Sequence, residues 1–184
     1  AEAELASKSA PDSPLTKVIS ARVALAEGRA GDALKSLEAV GELRGFPRAL
    51  ALRGQAKLAA GDQKAAVADF DAALELVPKM PDAALGRAQA DLRAGDGKAA
   101  KRRLEELFED IDTAPTEIVV AYAEALAQSD DVDRARSILK DMARKKESPE
   151  GFVALARVEK VAGNNDAARK AFERALAIDG SVVE

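Results

Sequence analysis

The chain has 184 residues, 47% of them hydrophobic, with 28 basic and 32 acidic side chains for a formal charge of −4. That length and apolar content suffice for one domain or a short repeat array, and the even charge gives no global reason to seek nucleic acid or an anionic membrane. Neither Cys nor His is present, which excludes disulfides, thiolate zinc sites and cysteine nucleophiles and removes the commonest general base and metal ligand.

No run of about 18 apolar residues is present, so no segment is expected to span a membrane. Forty-two alanines stand against six aromatic residues. The core is therefore expected to form by close helix approach, and the composition favours helices because alanine loses no side-chain entropy there.

Residues 1–13, AEAELASKSAPDS, read as a linker or N-terminal tail, small and polar with a Pro and Ser cluster at the end. The chain starts at Ala1 without Met, which suggests a processed mature protein or an excised piece. Its compartment stays open between cytoplasm and periplasm. Richness in Ala, Arg, Asp and Gly fits a bacterial source.

From Pro14 onward the prolines keep time: Pro14 to Pro47 is 33 residues, and Pro47, Pro81, Pro115 and Pro149 follow at intervals of 34. Proline suits the first turn of a helix, where its missing N–H has no partner to lose. Five helices are expected to begin beside these residues.

Midway through each interval falls a turn residue: Gly28, Gly61, Gly95, Asp130 and Gly163. Glycine adopts the left-handed conformation that closes a helix, and a neighbouring Asp or Asn caps the next one. Asp130 is the exception in kind, yet Asp tolerates that conformation better than most residues.

Five residues after each turn comes an alanine: Ala33, Ala66, Ala100, Ala135 and Ala168. Leu37, Phe70, Leu104, Leu139 and Phe172 follow four later, then Val40, Ala73, Leu107, Met142 and Ala175 three beyond. Offsets of four and three place these on one helix face, the small residue for hairpin closure and the large one to fill space toward the next hairpin. Ala21, Gly54, Ala88, Ala123 and Ala156 are the matching small residues of the first helices.

Together these residues resemble the tetratricopeptide repeat, a helix–turn–helix unit of about 34 residues with a Gly or Ala, Ala, Phe and Pro signature. The stretch from Leu50 to Pro78 matches best, through Gly54, Gly61, Ala66, Phe70, Ala73 and Pro78. The resemblance covers 14–182 as units near 14–46, 47–80, 81–115, 116–148 and 149–182, one array within 14–184. It implies an all-α, right-handed superhelical solenoid of stacked hairpins, with a concave and a convex side.

The sequence departs from the family's pattern at two places. The early Trp is replaced by Lys17, Leu50, Ala84, Val119 and Phe152, and the later aromatic by Ala24, Lys57, Asp91, Leu126 and Glu159. Polar residues at the second set predict thinner packing in the second, third and fifth units.

Gly95–Lys98 (GDGK) shares residues with phosphate-binding loops but lacks their length and the preceding strand, and reads as a hairpin turn. Asp130, Asp131 and Asp133 lack the twelve-residue pattern of a calcium loop and suit a helix start. The basic runs Lys101–Arg103 and Arg144–Lys146 have no stacking aromatics and read as solvated faces, the first offset by Glu105, Glu106, Glu109 and Asp110. Tyr122 reads as packing. No metal, cofactor or catalytic residue is identified, and an enzyme is not expected.

In the resembling family partners usually occupy the concave groove lined by the first helices. Here that face is assigned Val18, Arg22 and Leu25, then Arg48, Ala51, Gln55 and Leu58, then Leu85, Gln89, Leu92 and Arg93. Val120, Glu124 and Gln128 follow, then Val153, Arg157 and Lys160. Apolar members give contact area while Gln and Arg hydrogen-bond a peptide backbone or carboxylate. The Lys and Asn cradle that captures chaperone C-termini in some members of the family is absent, since Val18, Arg22, Ala51 and Gln55 stand there.

The expected role is a non-catalytic protein–protein interaction scaffold holding a peptide or helix of a partner protein, with no nucleic acid involved. Two alternatives stand beside it: a scaffold that self-associates through its ends, and a regulatory or docking domain of a longer enzyme chain. Leu176, Ile178, Val182 and Val183 close the chain without an amphipathic capping helix. That end is expected to continue into further chain or to meet another protein.

Overall fold

The computed structural model describes residues 13–108, 113–146 and 148–180. The tail at 1–12, the acids Glu109 and Asp110, and Val182 and Val183 lie outside them. Ten helices and no strand occur among the described residues. They are α1 Pro14–Ala26, α2 Ala30–Glu38, α3 Pro47–Ala59, α4 Gln63–Leu76, α5 Pro81–Arg93, α6 Gly97–Glu105, α7 Thr116–Gln128, α8 Val132–Lys146, α9 Pro149–Val161 and α10 Asn165–Ile178. The contacts divide the chain into two compact units, 1–90 and 91–184.

The proline rhythm sets the first helix of every hairpin. Four begin at the proline itself, and α7 begins one residue after Pro115. Side-chain caps supplement it: Ser13 accepts from Thr16 N at 3.1 Å and Ser148 from Gly151 N at 3.2 Å. On the second helices Asp62 accepts from Ala65 N and Asp96 from Ala99 N.

All five hairpin turns share one equivalent backbone bond. The amides of Arg29, Asp62, Asp96, Asp131 and Asn164 donate to the carbonyls of Ala24, Lys57, Asp91, Leu126 and Glu159 at 2.7, 2.9, 2.9, 2.9 and 2.8 Å. This closure requires a left-handed residue just before each donor, and Asp130, at φ 68°, supplies it where the other hairpins use glycine.

The small-residue stripe is buried as expected. Ala33, Ala66, Ala100 and Ala135 are fully covered and Ala168 nearly so, as are Ala21, Ala88, Ala123 and Ala156. Phe70 shows what the small residues are for. A Cβ on Gly54 would lie 2.7 Å from its ring and one on Gly86 2.4 Å, so α3 and α5 close on the two sides of one phenyl group. Gly97 plays a similar part in the second unit, where a Cβ would lie 2.4 Å from Gln128 Cβ. The GDGK segment is thus a hairpin turn followed by a close helix contact.

Two second helices end early. α2 stops at Glu38 and α6 at Glu105, so Val40 and Leu107, expected on the helical stripe, lie beyond it. After α2 the chain turns through Gly41 and Gly45, both with positive φ, a conformation no helix continues through. After Leu104 its carbonyl accepts from both Leu107 N and Phe108 N. Phe108 then stacks on Tyr122 with ring centres 4.7 Å apart, and Tyr122, 1% exposed, is core.

Ion pairs occupy the places of Lys57, Asp91 and Glu159, where thinner packing is expected from the sequence. Lys57 and Arg53 both reach Asp69, at 2.7 and 2.6 Å. Arg103 reaches Asp91 at 2.9 Å, and Arg136 reaches Glu159 at 2.6 Å. The charged heads are pulled into the space an aromatic would fill while the long stems pack. Arg103 accordingly faces inward to Asp91, in contrast to the solvated face expected of its basic run.

Candidate functional site

In the first unit α1 and α3 lie side by side and leave a groove of about 650 Å³. Its lining follows from helical spacing. Val18 and Arg22 stand one turn apart on α1, and Arg48 and Gln55 two turns apart on α3, and all four border the groove. These are members of the sequence-assigned face. Leu15, Ile19, Leu52 and Asp82 complete the lining and lie outside that assignment. The alternation of Leu52 with Arg48 and Gln55 on α3 is the signal in the sequence that points to them.

Chemically the groove has an aliphatic floor and a guanidinium-bearing rim. Leu15 is 68% exposed, unusual for a large aliphatic side chain, and Arg22, Arg48 and Asp82 are exposed around it. Such a surface offers apolar contact to side chains and directional donors to carboxylates or carbonyls.

Two assigned residues do not belong to the surface. Ala51 is 1% exposed and Leu58 3%; both join the hydrophobic core of the first unit. Their spacing puts them on the right side of α3, but the neighbouring helices cover that strip. Leu25, Leu85 and Gln89 are half-buried and do not line the groove.

In the second unit the assigned residues form a more polar face. Leu92 is half-buried and Arg93, Gln128, Arg157 and Lys160 are exposed. Gln128 Nε2 donates to the Leu92 carbonyl at 3.3 Å. Arg157 Nη2 lies 2.6 Å from Glu124 Oε1, so two assigned residues of opposite charge are paired within the face.

Glu124 is the unusual group. Its Oε1 is buried and receives no aligned hydrogen bond among the described residues, despite the nearby guanidinium. Burial pushes its carboxyl above the ordinary glutamate range, and Arg157 offsets this only in part. Sequence reasoning places Glu124 on the face but gives no sign that it is desolvated.

The other desolvated carboxylates are satisfied. Burial pushes Asp69 upward, but hydrogen bonds from Arg53 and Lys57 outweigh it and hold the carboxyl below the usual range. Arg136 does the same for Glu159, helped by Asn164 Nδ2 at 2.8 Å. A second hollow, of about 480 Å³, lies in the second unit between Lys140, Arg144, Phe152, Leu155, Arg174 and Ile178; none of the assigned residues lines it. No helix among the described residues is long and apolar enough to cross a membrane.

Comparison with known proteins agrees with this geometry. The tetratricopeptide repeat family matches residues 57–115, and no curated protein matches the chain. Among solved structures, a thermophilic tetratricopeptide repeat (TPR) protein of Thermus thermophilus is similar, with a TM-score of 0.71 at 20% identity over 92% of this chain and 93% of that one. A tetratricopeptide repeat protein of Parabacteroides merdae also gives 0.71, at 16% identity over 95% of this chain and 70% of that one. YrrB, described as a TPR protein with an unusual peptide-binding site, gives 0.62 at 16% identity over 98% and 93%. Five equivalent turns, one set of buried small residues and these likenesses agree on the fold, an all-α helical repeat of the tetratricopeptide type, with the family itself matched over residues 57–115.

Proposed function

We propose that the protein is a non-catalytic interaction scaffold that holds a peptide or helical segment of a partner protein and helps assemble a larger complex. The observation that carries this reading is the groove of the first unit, where Val18, Arg22, Arg48 and Gln55 converge on one hollow. Its aliphatic floor and polar rim offer apolar contact and hydrogen-bond donors to the side chains and backbone of a peptide segment. Two arginines on its rim favour a segment that carries carboxylates, and YrrB is a protein of the same fold whose description includes a peptide-binding site.

The test is a pull-down from cell extract with the wild-type chain and with Arg22→Glu combined with Arg48→Glu, each partner identified by mass spectrometry. Both arginines are exposed, so the double variant is expected to keep its circular dichroism and melting temperature while losing the captured partner. Capture undiminished by the reversal of both charges overturns the groove assignment.

A further inference from the structure

The hollow of about 480 Å³ between α8, α9 and α10 has a basic rim. Lys140 and Arg144 stand one turn apart on α8, Arg174 borders it from α10, and no acid lines it among the described residues. Ala143, Phe152, Leu155 and Ile178 supply its apolar part. At about 100° per residue Arg174 stands about 200° round α10 from Phe172, on the side turned to α8. The hollow is therefore made by these three helices, whatever covers the other face of α10.

The preceding junction, between α6, α7 and α8, is filled. Phe108 keeps the helical place four residues after the buried Leu104, because its amide donates to the Leu104 carbonyl at 2.8 Å, and its ring stacks on Tyr122 with centres 4.7 Å apart. Arg134 of α8 lies 5.8 Å from the centre of the Tyr122 ring. At the open junction Ala143 stands four residues after the buried Leu139, and Leu155, directly before Ala156 as Tyr122 is directly before Ala123, takes the place of Tyr122. A methyl and an isobutyl group thus replace two rings. The charge changes too: Glu105, which accepts from the Tyr122 hydroxyl at 3.4 Å, gives way to Lys140.

We propose that this hollow is a second binding site, for an acidic segment of a partner protein that inserts one aromatic side chain against Ala143 and Leu155 and sets carboxylates on Lys140, Arg144 and Arg174. The chain itself carries a sequence of that chemistry at 104–110, LEELFED, where four acids surround Phe108, and there the ring is engaged by Tyr122. No other stretch of the chain matches it. Residues 1–12, 109–112 and 181–184 hold no aromatic side chain. The exposed rings of Phe46 and Phe172 each stand between two cations, Arg44 and Arg48 for the first and Lys170 and Arg174 for the second, so a second copy would bring cations to cations.

The probe is a fluorescent synthetic peptide of sequence LEELFED, titrated into the full chain and followed by anisotropy. Saturable binding is expected, and Phe108→Ala in the peptide is expected to weaken it about 10-fold or more, since a buried aromatic anchor carries most of such a contact. In the protein, Arg174→Glu reverses one exposed charge of the rim and is expected to weaken binding by a similar factor. Ala177→Trp fills the hollow from its exposed edge and is expected to abolish binding with the charge unchanged. Both variants are expected to keep the circular dichroism and melting temperature of the wild type. Arg22→Glu combined with Arg48→Glu is expected to leave peptide binding unaltered, which separates this site from the groove of the first unit. No saturable binding, equal affinity of the Phe108→Ala peptide, or binding that survives both Arg174→Glu and Ala177→Trp overturns the proposal. So does binding lost in the Arg22 and Arg48 variant, which places the peptide in the first-unit groove.

Discussion

Asp69 in the first unit and Glu124 in the second are both carboxylates drawn out of water, yet their proton affinities move in opposite directions. Asp69, 5% exposed, accepts from Arg53 through both oxygens, at 2.8 and 2.6 Å, and also meets Lys57. Glu124 has one arginine, and that arginine is more than half exposed and misaligned for a hydrogen bond. Burial raises both; only for Asp69 do the partners outweigh it. The difference lies in the number and alignment of donors, since a charge at the right distance repays desolvation poorly unless its N–H groups point at the lone pairs. Asp69 is therefore a structural clasp. Glu124 is a half-buried charge with one oxygen left unsatisfied among the described residues.

The sharpest way to break this comparison is Asp69→Asn. The amide keeps the shape but leaves the guanidinium and ammonium, each less than a third exposed, without their counter-charge. A loss of about 3 kcal/mol is expected, because removing one member of a buried pair strands the other. Urea unfolding of the variant against wild type measures it, and a loss under about 0.5 kcal/mol, the scale of an exposed pair, would make Asp69 no different in kind from the surface bridges.

Much of this is legible from residue spacing. The prolines, the turn residues and the Ala stripe specify where backbone must bend and where helices must touch, and these are local demands that few residue types meet. The clasps are not legible, although Lys57, Asp91 and Glu159 stand out as charges at positions the family fills with aromatics. Their partners, Asp69, Arg103 and Arg136, sit 12 to 23 residues away on other helices, and only the crossing geometry tells which heads meet. Ala51 and Leu58 fail for a related reason: helical spacing gives the side of a helix a residue faces, while burial depends on how near the neighbouring helices come. Gly86 belongs with them, since its function is visible only with the ring of Phe70 against it.

A pH series of melting temperatures separates the two carboxylates by sign. Asp69 binds its proton more weakly in the folded state than in the unfolded one, so its contribution is present above the unfolded value near pH ~4 and is lost as pH falls through the lower folded value. Glu159 acts in the same sense. Glu124 binds its proton more tightly when folded, so acidification through its raised value adds stability until the unfolded value, near pH ~4.3, is reached. Stability is expected to rise slightly between neutrality and about pH 4.5 and then fall steeply. In Asp69→Asn the steep limb is expected to shrink while the gentle rise persists; loss of both limbs together would mean that one coupled network governs both groups.

Glu124→Gln is the smallest expected effect and the most discriminating for the second unit. The substitution removes a charge that burial disfavours and supplies an amide whose N–H₂ can donate, while its carbonyl still lies beside Arg157. Because the ionised form is the one penalised, stability at neutral pH is expected to increase by about 1 kcal/mol or less, within the range for one desolvated polar group, and the gentle rise on acidification is expected to disappear. The opposite outcome is equally informative. If urea unfolding at neutral pH shows Glu124→Gln to be destabilised as strongly as Asp69→Asn, then Arg157 satisfies Glu124 as fully as Arg53 and Lys57 satisfy Asp69. The carboxylate would then be a second clasp, with no accepting capacity left for the lysine, arginine or backbone N–H of a bound partner.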